Sequence, residues 1–259
     1  IRTSGLKKLF QKEVDVRRPR DNFYNTLVAA AHQFHYKENP KGVKGVVPED
    51  KKEHYLLAGY PWFKVRARDT FISLPGLTLA VDEEDYFRST MKTASKALYD
   101  FMDGKPLSVN IYEIEQPDVM LWCIWAVQQY SKKVGLEQTY KEYGKLVTDM
   151  VIYIHKDKHI NLRYHKNGLL WTNGTQKPMT WMNSIANGKP VVPRTGFIVE
   201  FNALWYNALC FCAELAEVNK DTKNVDMLKK MAEKAKASFQ ELFVTPAGYL
   251  FDYREEGIE

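Results

Sequence analysis

No uninterrupted apolar run in this chain of 259 residues approaches the ~20 residues a membrane-spanning helix needs. A long basic tract is also missing. The 37 Lys and Arg and the 32 Asp and Glu are mixed along the chain, with only short pairs such as Lys51-Lys52 and Lys229-Lys230, so the net charge of +5 argues against a nucleic-acid partner. Cysteine is scarce. Cys123, Cys210 and Cys212 are odd in number, lie in apolar stretches and lack metal spacing, which predicts buried reduced thiols rather than a disulfide frame. His32 and His35 fall on an expected helix, and His155, His159 and His165 are unevenly spaced with no carboxylate pattern, so solvated or core histidines are expected and no metal. Ile1 opens no signal-like segment, although a leader trimmed ahead of it stays open. No strict internal period is present, which argues against TPR-like or ankyrin-like arrays.

What is present is a hydrophobic content of 45%, enough to bury a substantial core in one large domain or two small ones. We read a polar segment or linker at 1–17, then one domain at 18–259. Hydrophobic spacing predicts an amphipathic helix at 21–36, capped by Asp21, with Phe23, Leu27, Ala30, Ala31 and Phe34 on its inner face. After a loop rich in Gly, Pro and Lys at 38–53 comes a largely apolar helix at 70–81, interrupted by Pro75-Gly76. A charged amphipathic helix at 83–102 precedes an irregular loop, and Asp118 opens a second apolar helix at 119–130. A mixed helix at 137–155 follows. Alternation at 160–172 and the Asn167-Gly168 turn signal predict a short hairpin. A third apolar helix at 201–215 and a Lys-rich amphipathic helix at 225–243 complete the series.

Helices that are apolar nearly all round must be covered on both sides, whereas helices with one charged face belong outside. The strict alternation of the two kinds predicts an all-α concentric toroid of two rings, with a linear solenoid as the rival. Each apolar helix begins at an acidic residue: Asp69, Asp118 and Glu200. Capping or first-turn acidity, at about 0.3–2 kcal/mol each, explains any one of them. In a two-ring toroid, however, all three would share one rim with the loops bearing Trp62 and Trp181. A flat ring beside fixed carboxylate, guanidinium and amide groups suits a sugar, whose apolar C–H face meets the ring and whose hydroxyl rim meets the polar groups. Trp122, Trp125 and Trp205 recur inside helices and are expected in the core.

These residues resemble the C-terminal glucosidase domain of bacterial and archaeal glycogen debranching enzymes, the amylo-α-1,6-glucosidase type. The matching pieces are Ala58-Gly59-Tyr60-Pro61-Trp62-Phe63, Arg68-Asp69-Thr70 with Leu74-Pro75-Gly76-Leu77, Asp118 with Leu121-Trp122, Thr180-Trp181-Met182, Pro193-Arg194, and the segment from Glu200 to Leu209. The resemblance implies an (α/α)6 barrel, a cytoplasmic location, no cofactor, and inverting hydrolysis of the α-1,6-linked glucose stub of a glycogen-like α-glucan. It implies substrate-binding roles for Trp62, Arg68, Asp69, Trp181, Asn183, Arg194 and Asn202, with Arg68-Asp69 holding the outer hydroxyls of the released glucose. Inversion needs two carboxyl groups about 6.5–9.5 Å apart. The family's general acid is an aspartate after Thr-Trp-Met, where this chain has Asn183, and an amide cannot release a proton to an alkoxide. Glu200 and Asp118 are the carboxylates left to expect in catalysis, with Glu113 and Glu115 as further candidates. Arg66-Ala67 stands where the family has Trp-Gly, which removes an aromatic platform and adds a cation. Roughly seven helices are countable where the barrel has twelve, so the N-terminal half to two-thirds of a barrel is expected, with the second catalytic carboxylate downstream and the barrel's remainder as a partner. A non-catalytic α-glucan binder and another (α/α)6 hydrolase of glucoamylase or trehalase type stay open.

Overall fold

The computed structural model describes residues 22–40, 42–60 and 62–255. The polar segment at 1–17 and the expected cap Asp21 lie outside the described residues. Seven α-helices are present among the described residues, with short strands between them, so the fold is all-α in character.

α1 (Asn22–Gln33) is shorter than expected, because the chain turns at Phe34 into strand β1 (His35–Glu38). β1 pairs antiparallel with β2 (Glu53–Leu56), His35 opposite Leu56 and Glu38 opposite Glu53. The inner face of α1 also differs from expectation: Val28 and Ala31 are buried, while Phe23 and Leu27 face outward.

α2 (Ala67–Leu77) starts three residues earlier than the apolar run and carries Pro75 inside it rather than breaking there. Pro75 removes only one i to i−4 bond near the end of the helix. The Thr78 hydroxyl then donates to the Leu74 carbonyl at 2.5 Å, and a 3-10 turn follows at Leu79–Val81. α3 (Glu84–Met102) buries Phe87, Met91, Ala94, Leu98 and Phe101 at helical spacing, which explains its single apolar stripe.

α4 (Val119–Val134), α5 (Leu136–His155), α6 (Val199–Val218) and α7 (Thr222–Phe243) complete the helices. The apolar helices α2, α4 and α6 pack on one another in chain order, while α5 covers α4 and α6, and α7 covers α6. This is the packing their composition requires, since an apolar helix needs neighbours on both sides. Phe71, Ile124, Phe201, Trp205 and Phe211 are fully buried in that row, and truncating one of the aromatic rings to Ala would cost about 3–5 kcal/mol. Trp205 is in the core as expected, its indole N–H donating to the Gly168 carbonyl at 3.1 Å. Trp122 and Trp125 are only partly buried, their rings meeting edge-on at 5.5 Å.

The expected hairpin is β3 (Arg163–Tyr164) with β4 (Leu170–Thr172). It belongs to a four-stranded antiparallel sheet completed by β7 (Gly196–Ile198) and β8 (Tyr253–Arg254). Gly196, at φ 111°, lets β8 approach so closely that a Cβ there would lie 2.2 Å from the Arg254 carbonyl oxygen. Between β4 and β7, the loop forms a second hairpin of β5 (Ile185–Ala186) and β6 (Lys189–Pro190) around Asn187-Gly188, both at positive φ. Asn-Gly is the strongest two-residue hairpin signal, and this second hairpin was not among the expected elements.

Candidate functional site

The N-termini of α2 and α4 are joined by one buried ion pair. Arg68, in the first turn of α2, donates from Nε and Nη2 to the two oxygens of Asp118, at 2.6 and 2.8 Å. Asp118 occupies the N-cap position of α4 yet makes no cap; its carboxylate turns to Arg68 and accepts a third bond from the Trp122 indole at 3.2 Å. Burial works against the Arg68 charge, but the Asp118 carboxylate, aided by Glu113 and Asp69, outweighs it and raises the pKa above its ordinary value. Asp118, expected in catalysis, is 1% exposed, and both of its oxygens are engaged in a clamp between two helices. Trp122, expected in the core, packs partly buried against it and joins that clamp through its indole.

Asp69 stands next to the clamp and differs from it in every respect. Its carboxylate is exposed and has no hydrogen bond or ion pair among the described residues. The expected Arg68-Asp69 unit is therefore divided: Arg68 is internal, and Asp69 faces solvent. Trp62 and Trp181 also present their rings outward, at 83% and 60% exposure, as does Asn183, whose backbone N–H donates to the Trp181 carbonyl in a tight turn.

A second clamp holds the start of α6. Arg194, 2% exposed, donates to both oxygens of Glu200 and both of Asp252, so that β8 and the 191–195 segment are tied to the helix. Burial opposes the Arg194 charge here too, and Glu200 and Asp252 together hold its pKa above the ordinary value. Asn202, expected at the substrate, is wholly buried. Its amide donates to Leu170 and Ile198 carbonyls and accepts from the Leu170 N–H, which ties β4 to the start of α6. Asp252 was missed because it lies more than fifty residues from Arg194 and carries no local motif.

The 103–118 loop connects these parts. Tyr112 pairs with the backbone of Val65 and Ala67, and Arg66 reaches Glu113 at 3.3 Å. Lys177 reaches Glu115 at 2.9 Å, and the Asn161 amide donates to the Glu115 carbonyl. The loop thus fastens the Trp62 segment on one side and the 161–177 segment on the other. A cavity of about 470 Å³ lies elsewhere, between α5 and α7 over Cys212 and Ala216, and none of the expected site residues lines it. Among the described residues no group of three or more His, Cys, Asp or Glu is placed to hold a metal ion, and no helix is long and apolar enough to cross a membrane.

A family model described as amylo-alpha-1,6-glucosidase matches residues 29–257 of the chain. No curated protein matches it.

Proposed function

The chain belongs to the amylo-alpha-1,6-glucosidase family, and from that premise we propose that it binds the α-1,6-linked glucose stub of glycogen-like α-glucans at the rim formed by the N-termini of α2, α4 and α6, acting in the cytoplasm without a cofactor. The row of mutually packed apolar helices supports a two-ring (α/α)6 arrangement for that rim. One observation carries the site: Asp69 keeps a solvent-facing carboxylate with no hydrogen bond or ion pair among the described residues, directly beside an Arg68 that Asp118 holds rigid. A carboxylate left free on a rigid frame is poised to accept from sugar hydroxyls, and the exposed rings of Trp62 and Trp181 supply apolar faces for the pyranose. In the hydrolytic reading, one carboxylic acid protonates the glycosidic oxygen while a carboxylate on the opposite face activates water, releasing glucose with inversion.

A second reading, a glucan-binding relative without hydrolysis, rests on the state of the local carboxylates. Asn183 occupies the acid position, and both oxygens of Asp118 and of Glu200 are already engaged by arginine. A carboxyl that hands a proton to a leaving oxygen needs an oxygen free of cationic donors. Incubating the full-length gene product with an α-1,6-glucosyl maltooligosaccharide separates the two. Release of glucose as the β-anomer supports the hydrolase. Binding by titration without release supports the binder, and neither outcome would defeat the glucan site itself unless binding is also absent.

A further inference from the structure

Glu113 is held in the left-handed backbone region, φ 62°, where a side chain with a Cβ sits at a cost, and the structure shows what that conformation achieves. It directs the Glu113 carboxylate onto the guanidinium of Arg66, 3.3 Å away, with both side chains about one-third exposed. The opposite contact of that guanidinium is the Phe63 ring, 5.7 Å from its centroid. The backbone beneath is fixed as well: the Tyr112 N–H donates to the Val65 carbonyl and the Ala67 N–H to the Tyr112 carbonyl, at 2.9 and 3.0 Å. Arg66 itself is extended, at φ −116° and ψ 136°, as the last residue before α2, so its side chain leaves the backbone one helical turn before Asp69.

Resting on the glucan-site reading above, we propose that Arg66 is a substrate-binding residue for the sugar adjoining the one that Asp69 holds, and that Glu113 is the positioning residue that sets its guanidinium. A guanidinium held near a ring by a cation–π contact offers a sugar two things at once, a planar face and an edge of N–H donors. Glu113 engages only Nη1, and among the described residues no other side-chain hydrogen bond occupies the fork, while the Arg66 side chain is about one-third exposed. An indole would supply the face without the row of donors. The consequence is a subsite selective for the orientation of sugar hydroxyls, with Arg66 fixed from two sides so that little rotamer freedom is lost on binding. The pair is unlike an ordinary surface ion pair, because the backbone pays strain at Glu113 to present the carboxylate from above the helix terminus.

The test is titration of the branched trisaccharide glucosyl-α-1,6-maltose into the full chain, alongside thermal unfolding of each variant. Arg66→Ala should weaken binding at least tenfold, and Arg66→Lys should not restore it, since an ammonium lacks the planar fork. Glu113→Asp should retain most of the affinity. Glu113→Asn tolerates the same backbone but lacks the charge and should weaken binding several-fold. Glu113→Gly is the decisive variant: relief of the positive φ should leave Tm unchanged or higher while affinity falls, an outcome that a merely structural role cannot produce. If glucose alone binds as before in every variant while the trisaccharide weakens, the assignment to the adjoining sugar stands. Trisaccharide binding equal to wild type in Arg66→Ala and Glu113→Gly overturns this proposal and leaves the glucan site intact. Absence of binding by the wild-type chain removes both.

Discussion

Arg68 and Asp118, fifty residues apart in sequence, meet in a two-bond ion pair with both side chains sealed from solvent. A buried charge is tolerated only when its partner and its remaining hydrogen bonds are in place, and the Trp122 indole supplies one of those bonds. The pair therefore fixes the spacing of the α2 and α4 termini. Asp118→Ala should destabilise the protein by about 3–5 kcal/mol, because it leaves a buried guanidinium without a counter-charge. Denaturant unfolding measures the loss, and a value under about 1 kcal/mol, as for an exposed pair, would show that the clamp is not buried in solution.

Asp69 should behave in the opposite way. With no hydrogen bond or ion pair among the described residues, Asp69→Ala should cost only its first-turn helix contribution and its attraction to Arg68, about 0.3–1 kcal/mol. Binding of glucose or maltose should nevertheless weaken by about 1–3 kcal/mol, the scale of a lost charge-assisted hydrogen bond. Calorimetric titration and thermal unfolding on one preparation check both halves. Unchanged sugar affinity would reject Asp69 as the ligand-facing carboxylate.

Acid sensitivity follows from two buried imidazoles, His54 and His159, and a partly buried one, His35. His35 and His54 stack at 5.1 Å centroid separation with a ring nitrogen of each 3.3 Å from the other, and His35 also contacts the Leu77 carbonyl, so this pair joins the β1–β2 hairpin to the end of α2. Burial, with smaller contributions from nearby cations, lowers His35 to about 4 and His54 to about 3, and burial lowers His159 to about 4. An unfolded histidine titrates near 6.5, so between that value and about 3–4 the unfolded chain binds more protons than the folded one. Stability is thus complete above about pH 6.5 and falls as pH decreases through this window, by up to about 2 kcal/mol per ring at pH 5. A Tm that stays level from pH 7.5 to 5 would refute the neutral buried state. His54→Phe should flatten part of the slope.

The cysteines make a fourth test. Burial alone raises the Cys123 thiol far above its ordinary value, and burial raises Cys212 to about 11 against a small opposing effect of Thr148. Neither offers an accessible thiolate at neutral pH, whereas Cys210 is partly exposed. A thiol reagent at pH 7.5 should modify Cys210 first, and all three only after unfolding. Modification of Cys123 at the rate of Cys210 would contradict the packing of α4.

Much of this architecture was legible because it rests on periodicity. The boundaries at α3, α5 and α7 follow from a single apolar stripe, and the apolar character of α2, α4 and α6 implied their mutual packing. Three kinds of feature were hidden. Short strands such as β1 and β8 depend on a partner distant in sequence, so His35 and Tyr36 read as the end of a helix and Glu38 as the start of a loop. The exposed Phe23 and Leu27 fit a helical stripe that the fold does not use inward. At the site, an acidic residue beginning a helix looks the same whether it caps, pairs or stays free. Only tertiary contacts distinguish Asp118 bound to Arg68, Glu200 bound to Arg194, and Asp69 with no hydrogen bond or ion pair among the described residues.

Asn183 gives the last test, with opposite signs for the two readings. Its side chain is exposed in the turn after Trp181, so Asn183→Asp should be tolerated, shifting stability by less than about 0.5 kcal/mol. If the chain derives from a hydrolase that lost its acid, the substitution restores a group able to protonate the leaving oxygen. Hydrolysis of α-1,6-glucosyl stubs should then appear or rise, since general acid catalysis contributes about 10²–10⁴-fold. If the wild-type protein already hydrolyses them with another acid, a new anion beside that donor raises its pKa and the rate should stay level or fall. Glucose release by the full-length gene product, followed for both forms on one substrate, gives the sign. Binding preserved with no release by either form would eliminate hydrolysis as the function and leave the rim around Asp69 as a glucan-binding surface.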